Sequence, residues 1–332
     1  MSRHRIAPSA RRRAVSPALV GLVLLLALAL SAWVVTRAGT GAGSAASGAS
    51  RAAAADTVSA VSPSPSPSES DANADADEAL STRLASALGS VASDSASLQV
   101  AVLDLDADDD ASASRAATAS YSGEDGEGGE DGETYDTASI VKVDILAALL
   151  LQAQDEGRVL TAQERTYASA MIRNSDNAAT NVLWSTIGGA TGLDAANRRL
   201  GLTGTTGGSG KLWGLTQSTA SDQVALLAAV FAEDDADTPL SAASRAYMQG
   251  LMGAIADGQD WGVSAAGTAT GLKNGWLSRS ATGLWDINSI GLIEVDGHSY
   301  LLAVLSDGSG SMASGISLVE RAAQAAVAAA SA

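Results

Sequence analysis

Hydrophobic and polar positions divide the chain into an apolar run near its start, an unpatterned stretch and a long patterned region. From Pro17 to Thr36 the residues are apolar almost without break. Twenty residues of helix at about 1.5 Å rise cover roughly 30 Å, the depth of a bilayer core. Residues 37–77 show no apolar periodicity, and patterning resumes at Glu78. Within Glu78–Val91, Leu80, Leu84 and Leu88 share one helical face. Leu98–Leu105 alternates as a strand, and Ala116–Tyr121 is its hairpin partner. A helical block comes next. Ser139–Asp155 is an apolar helix stopped by Gly157, and Thr161 with Glu164 forms a capping box for a helix through Arg173. Another helix follows Asn177 and stops at Gly188-Gly189. Thr219 and Asp222 open one through Ala232, and Ala242–Ala256 forms one more. Three strand-like runs follow at Gly271–Ser278, Leu284–Val295 and His298–Leu305, the last two joined by a tight turn at Asp296-Gly297. Ser314–Ala330 is a closing helix. This order predicts an α+β fold: an antiparallel five-stranded sheet with the terminal helices on one face, and an all-helical subdomain.

Charge gives the apolar run an orientation. Arg3, Arg5, Arg11, Arg12 and Arg13 precede it, and Arg37 alone stands directly behind it. Residues 1–16 are therefore read as a cytoplasmic basic segment and 17–36 as a single-pass anchor in the cell membrane, with the rest extracytoplasmic. A cleaved signal peptide, leaving a secreted protein, is the competing reading, but Ser31-Ala32-Trp33 is a poor cleavage site. Residues 37–77 are mainly Ala, Gly, Ser and Pro, including VSPSPSPSES, and read as a disordered linker. The folded domain is 78–332.

All 37 acidic residues lie from Asp56 onward, against 13 of the 20 basic ones, a net of −24 over that stretch. Such a surface repels phosphates, so no nucleic-acid partner is expected. With no cysteine, disulfides, a thiol nucleophile and thiolate metal sites are excluded. Asp104, Asp106 and Asp108 fail as a calcium loop, because Asp109 stands where the turn glycine belongs and Arg115 where the bidentate glutamate belongs. No metal and no cofactor are expected.

Hydrolytic chemistry must then come from elsewhere than histidine. His4 falls on the cytoplasmic side and His298 beside a hairpin turn, which leaves neither a Ser-His-Asp triad nor a histidine metal site. Lysine is the other candidate base, and the chain has three: Lys142, Lys211 and Lys273. Ser139-Ile140-Val141-Lys142 puts a hydroxyl and an amine three positions apart, on one face at the start of an apolar helix. Burial there lowers the lysine pKa and frees the amine as a base, while helix N-terminal N–H groups favour negative charge near Ser139. Asp144 points to another face, where it is solvated or pairs at the surface. Ser175-Asp176-Asn177 lies between two helices and, taken alone, reads as a capping sequence. Lys273-Asn274-Gly275 lies in a strand beside Trp276, and an amine in a buried strand is costly without a purpose.

Taken in order, the three motifs S-x-x-K, S-D-N and K-x-G resemble those of the class A β-lactamase and penicillin-binding protein superfamily. The resemblance covers about residues 78 to 332, and its implications are specific. Ser139 would be the nucleophile and Lys142 its general base. Ser175 would pass a proton to the leaving nitrogen, with Lys273 assisting it and facing a substrate carboxylate. Asn177, Asn274, Gly275 and Trp276 would bind substrate, and the N–H groups of Ser139 and Trp276 would form an oxyanion hole. Asp176 would be a structural turn residue. The implied substrate is a β-lactam or a peptidoglycan-like amide.

Three departures from the pattern follow. Asn274 replaces the usual Thr, and its donor would alter carboxylate binding rather than abolish it. Ser139 and Ser175 are close in sequence, so a loop that walls the cleft is trimmed. Class A enzymes hydrolyse the acyl-enzyme with a loop glutamate, yet Gly201–Thr219 holds no Asp or Glu, and Asp222 beyond it is a helix-capping residue. Acylation without efficient deacylation is the expectation. Two alternatives stand beside it: a non-catalytic cell-wall-binding module on the same fold, or a lactamase whose water is activated by Lys142 or Gln217.

Overall fold

The computed structural model describes residues 69–91, 96–106, 116–122, 133–233 and 237–332. The chain opens with α1 (Glu69–Val91), β1 (Ser97–Asp104), β2 (Ala116–Tyr121) and the short β3 (Tyr135–Asp136). A 3-10 turn at Ala138–Ile140 then runs into α2 (Val141–Asp155). The helical block continues with α3 (Ala162–Arg173), α4 (Asn177–Thr186) and α5 (Gly189–Leu200), followed by β4 (Gln217–Ser218), α6 (Ala220–Phe231) and α7 (Ala242–Met252). Last come β5 (Thr268–Ser278), β6 (Trp285–Val295), β7 (His298–Asp307) and α8 (Met312–Ala330).

The large sheet runs in the order β2-β1-β7-β6-β5, and every neighbouring pair is antiparallel. Alternation along β1 explains its two faces. Leu98, Val100 and Val102 join Leu84, Leu88, Leu318 and Val319 in a core under α1 and α8. Ala101 and Leu103 point the other way, into a core with α2, α3, α6 and α7. Period two in the strand thus serves two layers at once. The expected α+β architecture is the one observed: five antiparallel strands, terminal helices on one face and a helical subdomain on the other.

Caps set the helix boundaries much as the sequence suggests. Thr161 accepts from the Glu164 N–H at 3.1 Å while the Glu164 carboxylate accepts from the Thr161 N–H at 2.7 Å. Thr219 Oγ1 accepts from the Asp222 N–H at 3.1 Å and starts α6. At the β6–β7 turn, Asp296 and Gly297 have φ of 53° and 88°, the left-handed pair that a tight hairpin needs.

Three helices differ from expectation by four residues or more. Helix α1 begins at Glu69, inside the stretch read as linker. Its first residues, ESDANADADEA, are rich in Ala, a strong helix former, and in acids that suit a helix N-terminus. Helix α5 was not expected at all, because Gly188-Gly189 reads as a stop. Both glycines have positive φ, 92° and 65°, and the pair makes a corner from which a new helix starts at once. Helix α7 ends at Met252, four residues short of the expected Ala256. Among the described residues no helix is long and apolar enough to cross a membrane. The segments 1–16, 17–36 and all but the end of 37–77 lie outside the described residues.

Candidate active site

The start of α2 is built to present one hydroxyl. Ala138 takes a left-handed φ of 48°, a conformation that costs a non-glycine residue about 1 kcal/mol, and it turns the chain from β3 into the 3-10 step. Ser139 follows at the head of the helix, buried to 9 % exposure. One turn on, Lys142 is fully buried, and its Nζ lies 2.9 Å from Ser139 Oγ. The same amine lies 2.7 Å from the Ser175 carbonyl, 2.9 Å from Ser175 Oγ and 2.9 Å from Asn177 Oδ1. Four oxygens surround a group with at most three protons to give. A neutral amine gives only two and keeps a lone pair for a hydroxyl hydrogen. Burial lowers the Lys142 pKa to about 7, with the nearby Asp176 carboxylate opposing the shift.

Ser175 also has a left-handed φ, 54°, in the bend between α3 and α4. The bend brings its hydroxyl between two amines, because Lys273 Nζ reaches Ser175 Oγ at 3.2 Å from the opposite side. Lys273 is buried on β5 and also donates to the Asn274 carbonyl at 2.7 Å. Burial, with the Lys142 charge close by, holds its pKa well below the ordinary lysine value. Asp176 is the N-cap of α4, its carboxylate accepting from the Ala179 N–H at 2.6 Å.

Strand β5 lies against the Thr137–Ile140 turn closely enough that only glycine fits. A Cβ on Gly275 would stand 2.7 Å from Ser139 N, 2.8 Å from the Thr137 carbonyl and 2.9 Å from Ile140 N. Those are backbone atoms on a packed turn, which cannot move aside cheaply. The turn is also tied to β6, where the buried Asn288 amide donates to the carbonyls of Asp136 and Thr137 at 2.9 and 3.0 Å.

A cleft of about 540 Å³ opens above Ser139. Lys211 to Leu215 form one wall, Trp276 to Ser280 the other, and Asn177 and Asn181 lie between. The ring of Trp213 stands over Lys142, 4.9 Å from Nζ to ring centre, and its indole N–H donates to Asn181 Oδ1 at 2.8 Å.

The structure brings Ser139, Lys142, Ser175, Asn177 and Lys273 into one hydrogen-bonded group, with Gly275 and Trp276 on its border. Asn274 differs from expectation. Both of its amide N–H bonds go to protein, to the Gln259 carbonyl at 2.8 Å and the Trp261 carbonyl at 2.7 Å, and its Oδ1 accepts from Ser289 Oγ. Successive side chains on a strand face opposite ways, so with Lys273 toward the cleft Asn274 braces the 259–263 loop instead. Asp144 is neither solvated nor at the surface but fully buried, because α2 is enclosed on every side from Val141 to Leu151 and meets solvent only in its last turn. Gln217 is committed elsewhere too, its amide donating to Asp136 and accepting from Thr134. Asp222 accepts from Thr205 Oγ1 at 2.6 Å and braces the loop leading to β4.

Sequence reasoning missed Trp213 and Asn288, whose places depend on how a loop and a distant strand pass Ser139 and Lys142. It also missed that Asp104, Asp106 and His298 come together, with ligand-type atoms within 4.8 Å of one another. This group lies outside the cleft lining. The Asp104 and Asp106 carboxylates there accept backbone N–H bonds from Asp106 and Ser299.

Residues 159–330 match the sequence model of the beta-lactamase enzyme family, just over half of the chain. No curated protein sequence matches. Solved structures of similar fold include a class A beta-lactamase representative from Bacteroides cellulosilyticus, 16 % identical with a TM-score of 0.59 over 76 % of this chain and 98 % of that one. A beta-lactamase from Streptosporangium roseum is 19 % identical, with a TM-score of 0.58 over 75 % of this chain and 99 % of that one. A PBP-A mutant, solved as an acyl-enzyme complex with penicillin G, is 19 % identical, with a TM-score of 0.56 over 75 % and 97 %.

Proposed function

The chain belongs to the beta-lactamase enzyme family, and from that premise we propose that it is a serine hydrolase acylated on Ser139 by a β-lactam or a peptidoglycan-like amide. The observation that carries this reading is the buried Lys142 amine, 2.9 Å from Ser139 Oγ and lowered to about 7. At neutral pH a large share of that amine is free to take the hydroxyl proton as Ser139 attacks the carbonyl carbon. Ser175, bonded to both amines, returns a proton to the departing nitrogen, so the C–N bond breaks as the ester to Ser139 forms. Lys273, at the other side of Ser175, supplies positive charge when protonated and faces a substrate carboxylate. Oxyanion stabilisation from the N–H groups of Ser139 and Trp276 contributes on the order of 3 kcal/mol per donor.

Release of the acyl group is slow in this reading. The loop from Gly201 to Thr219 has no carboxylate, and the hydrophobic Trp213 ring occupies the space beside Lys142. Gln217 is bonded away from the site, which leaves Lys142 itself to activate water. A labelled penicillin tests the proposal. Wild-type protein should give a band that survives denaturation and is absent from Ser139→Ala, whereas no covalent adduct at high protein and long times would overturn it.

The Trp213 cover and the missing carboxylate also favour a second reading, a non-catalytic module that binds cell-wall fragments in the same cleft. Equal retention of wild type and Lys142→Ala on cell-wall material, without acylation, would select it. The Arg cluster before residues 17–36, and the length of that apolar run, support a domain held outside the cell membrane by an N-terminal anchor. Protease accessibility in intact cells and spheroplasts checks that placement.

A further inference from the structure

All three lysines of the chain meet at this cleft, in a protein with 37 acidic side chains. Their charges are not equivalent. Lys142 and Lys273 are buried at its base, 0 % and 1 % exposed, where burial favours the neutral amine. Arg279 also lines the cleft, but its guanidinium is paired with Asp136 and with Asp286, the latter at 2.6 Å from Nε. Lys211 is different. It is exposed on the wall that carries Trp213, and among the described residues it has no carboxylate partner. An uncompensated ammonium in a cleft of an acidic protein draws anions there and away from the rest of the surface. Around it the wall is apolar: Leu212 is 57 % exposed and Trp213 and Leu215 are half-buried. An apolar side chain that also carries a negative group fits that combination.

We propose that Lys211 determines specificity, selecting acyl donors that carry a carboxylate on an apolar arm lying along the Lys211–Leu215 wall, in addition to any carboxylate facing Lys273. The proposal rests on the reading of Ser139 as the acylated nucleophile and adds the substrate class to it. Benzylpenicillin and its α-carboxy analogue differ by that one group. Second-order acylation rate constants for the two penicillins are measured with wild type and Lys211→Gln, at low and at high salt. The ratio favouring the α-carboxy compound should fall in the variant by about threefold to fivefold at low salt, as an exposed ion pair implies. High salt should erase most of that difference. A ratio unchanged by Lys211→Gln would overturn the proposal and leave acylation of Ser139 standing. Failure of both penicillins to label Ser139 in wild type would remove the proposed function and this inference together.

Discussion

The indole of Trp213 covers the amine of Lys142, with 4.9 Å between Nζ and the ring centre. That contact places an apolar ring, which can neither donate to nor activate water, beside the amine that is bonded to Ser139 Oγ. The ring is held by its N–H bond to Asn181, so it is a fixed wall rather than a loose side chain. A carboxylate at this place would change the chemistry, since it could take a proton from water. Trp213→Glu is therefore expected to shorten the lifetime of the penicilloyl-enzyme by about a hundredfold, the low end of what a positioned base contributes. Loss of label from pre-acylated protein, followed by intact-protein mass spectrometry, measures it. Equal lifetimes would show that the indole is not what protects the ester.

Acylation should follow the titration of Lys142. Its pKa lies near 7 because burial disfavours the ammonium. The neutral fraction then rises from about a tenth at pH 6 to about nine-tenths at pH 8. If that amine is the base, the acylation rate constant climbs nearly tenfold across this window with a midpoint near 7. Stopped-flow labelling with a fluorescent penicillin at constant ionic strength reads the profile. A rate that stays flat through pH 7 and climbs only toward pH 10 would exclude Lys142 as the base.

Much of this site was legible in the sequence because its chemistry is carried by short local patterns. A serine and a lysine three apart at a helix start must face each other, and the motif order brought Ser175 and Lys273 to the same place. What the sequence did not reveal depends on enclosure. Asn274 sits in a motif expected to bind substrate, yet its side chain serves the 259–263 loop, which no spacing discloses. Trp213 reaches Lys142 only through the path of the loop from 201 to 219. The pair Gly188-Gly189 punctuates two helices rather than ending one, since a stop and a corner use the same residues. Reading Asp144 as solvated assumed a wet face at the start of α2, and from Val141 to Leu151 every residue is buried.

That last residue has a measurable consequence. Asp144 is fully buried, accepts a single long bond of 3.3 Å from the Gln223 amide, and has its Oδ2 without a partner. The Gln223 Oε1 is likewise without a partner. A buried carboxyl with one oxygen unpartnered suits the protonated acid better than the carboxylate, since the neutral form loses less on leaving water. Burial accordingly raises the Asp144 pKa from 3.8 to about 7. A folded pKa above the unfolded one means that the native state binds the proton more tightly. Its stability contribution is complete below pH 3.8 and is lost as pH rises through 7, on the order of 4 kcal/mol in all. Asp144→Asn keeps the shape and a donor but cannot ionise. Urea unfolding at pH 5 and pH 8 should then show the variant gaining on wild type by about 2.5 kcal/mol between the two conditions. The same stability difference at both pH values would mean that this carboxyl ionises no differently in the folded protein than in the unfolded chain.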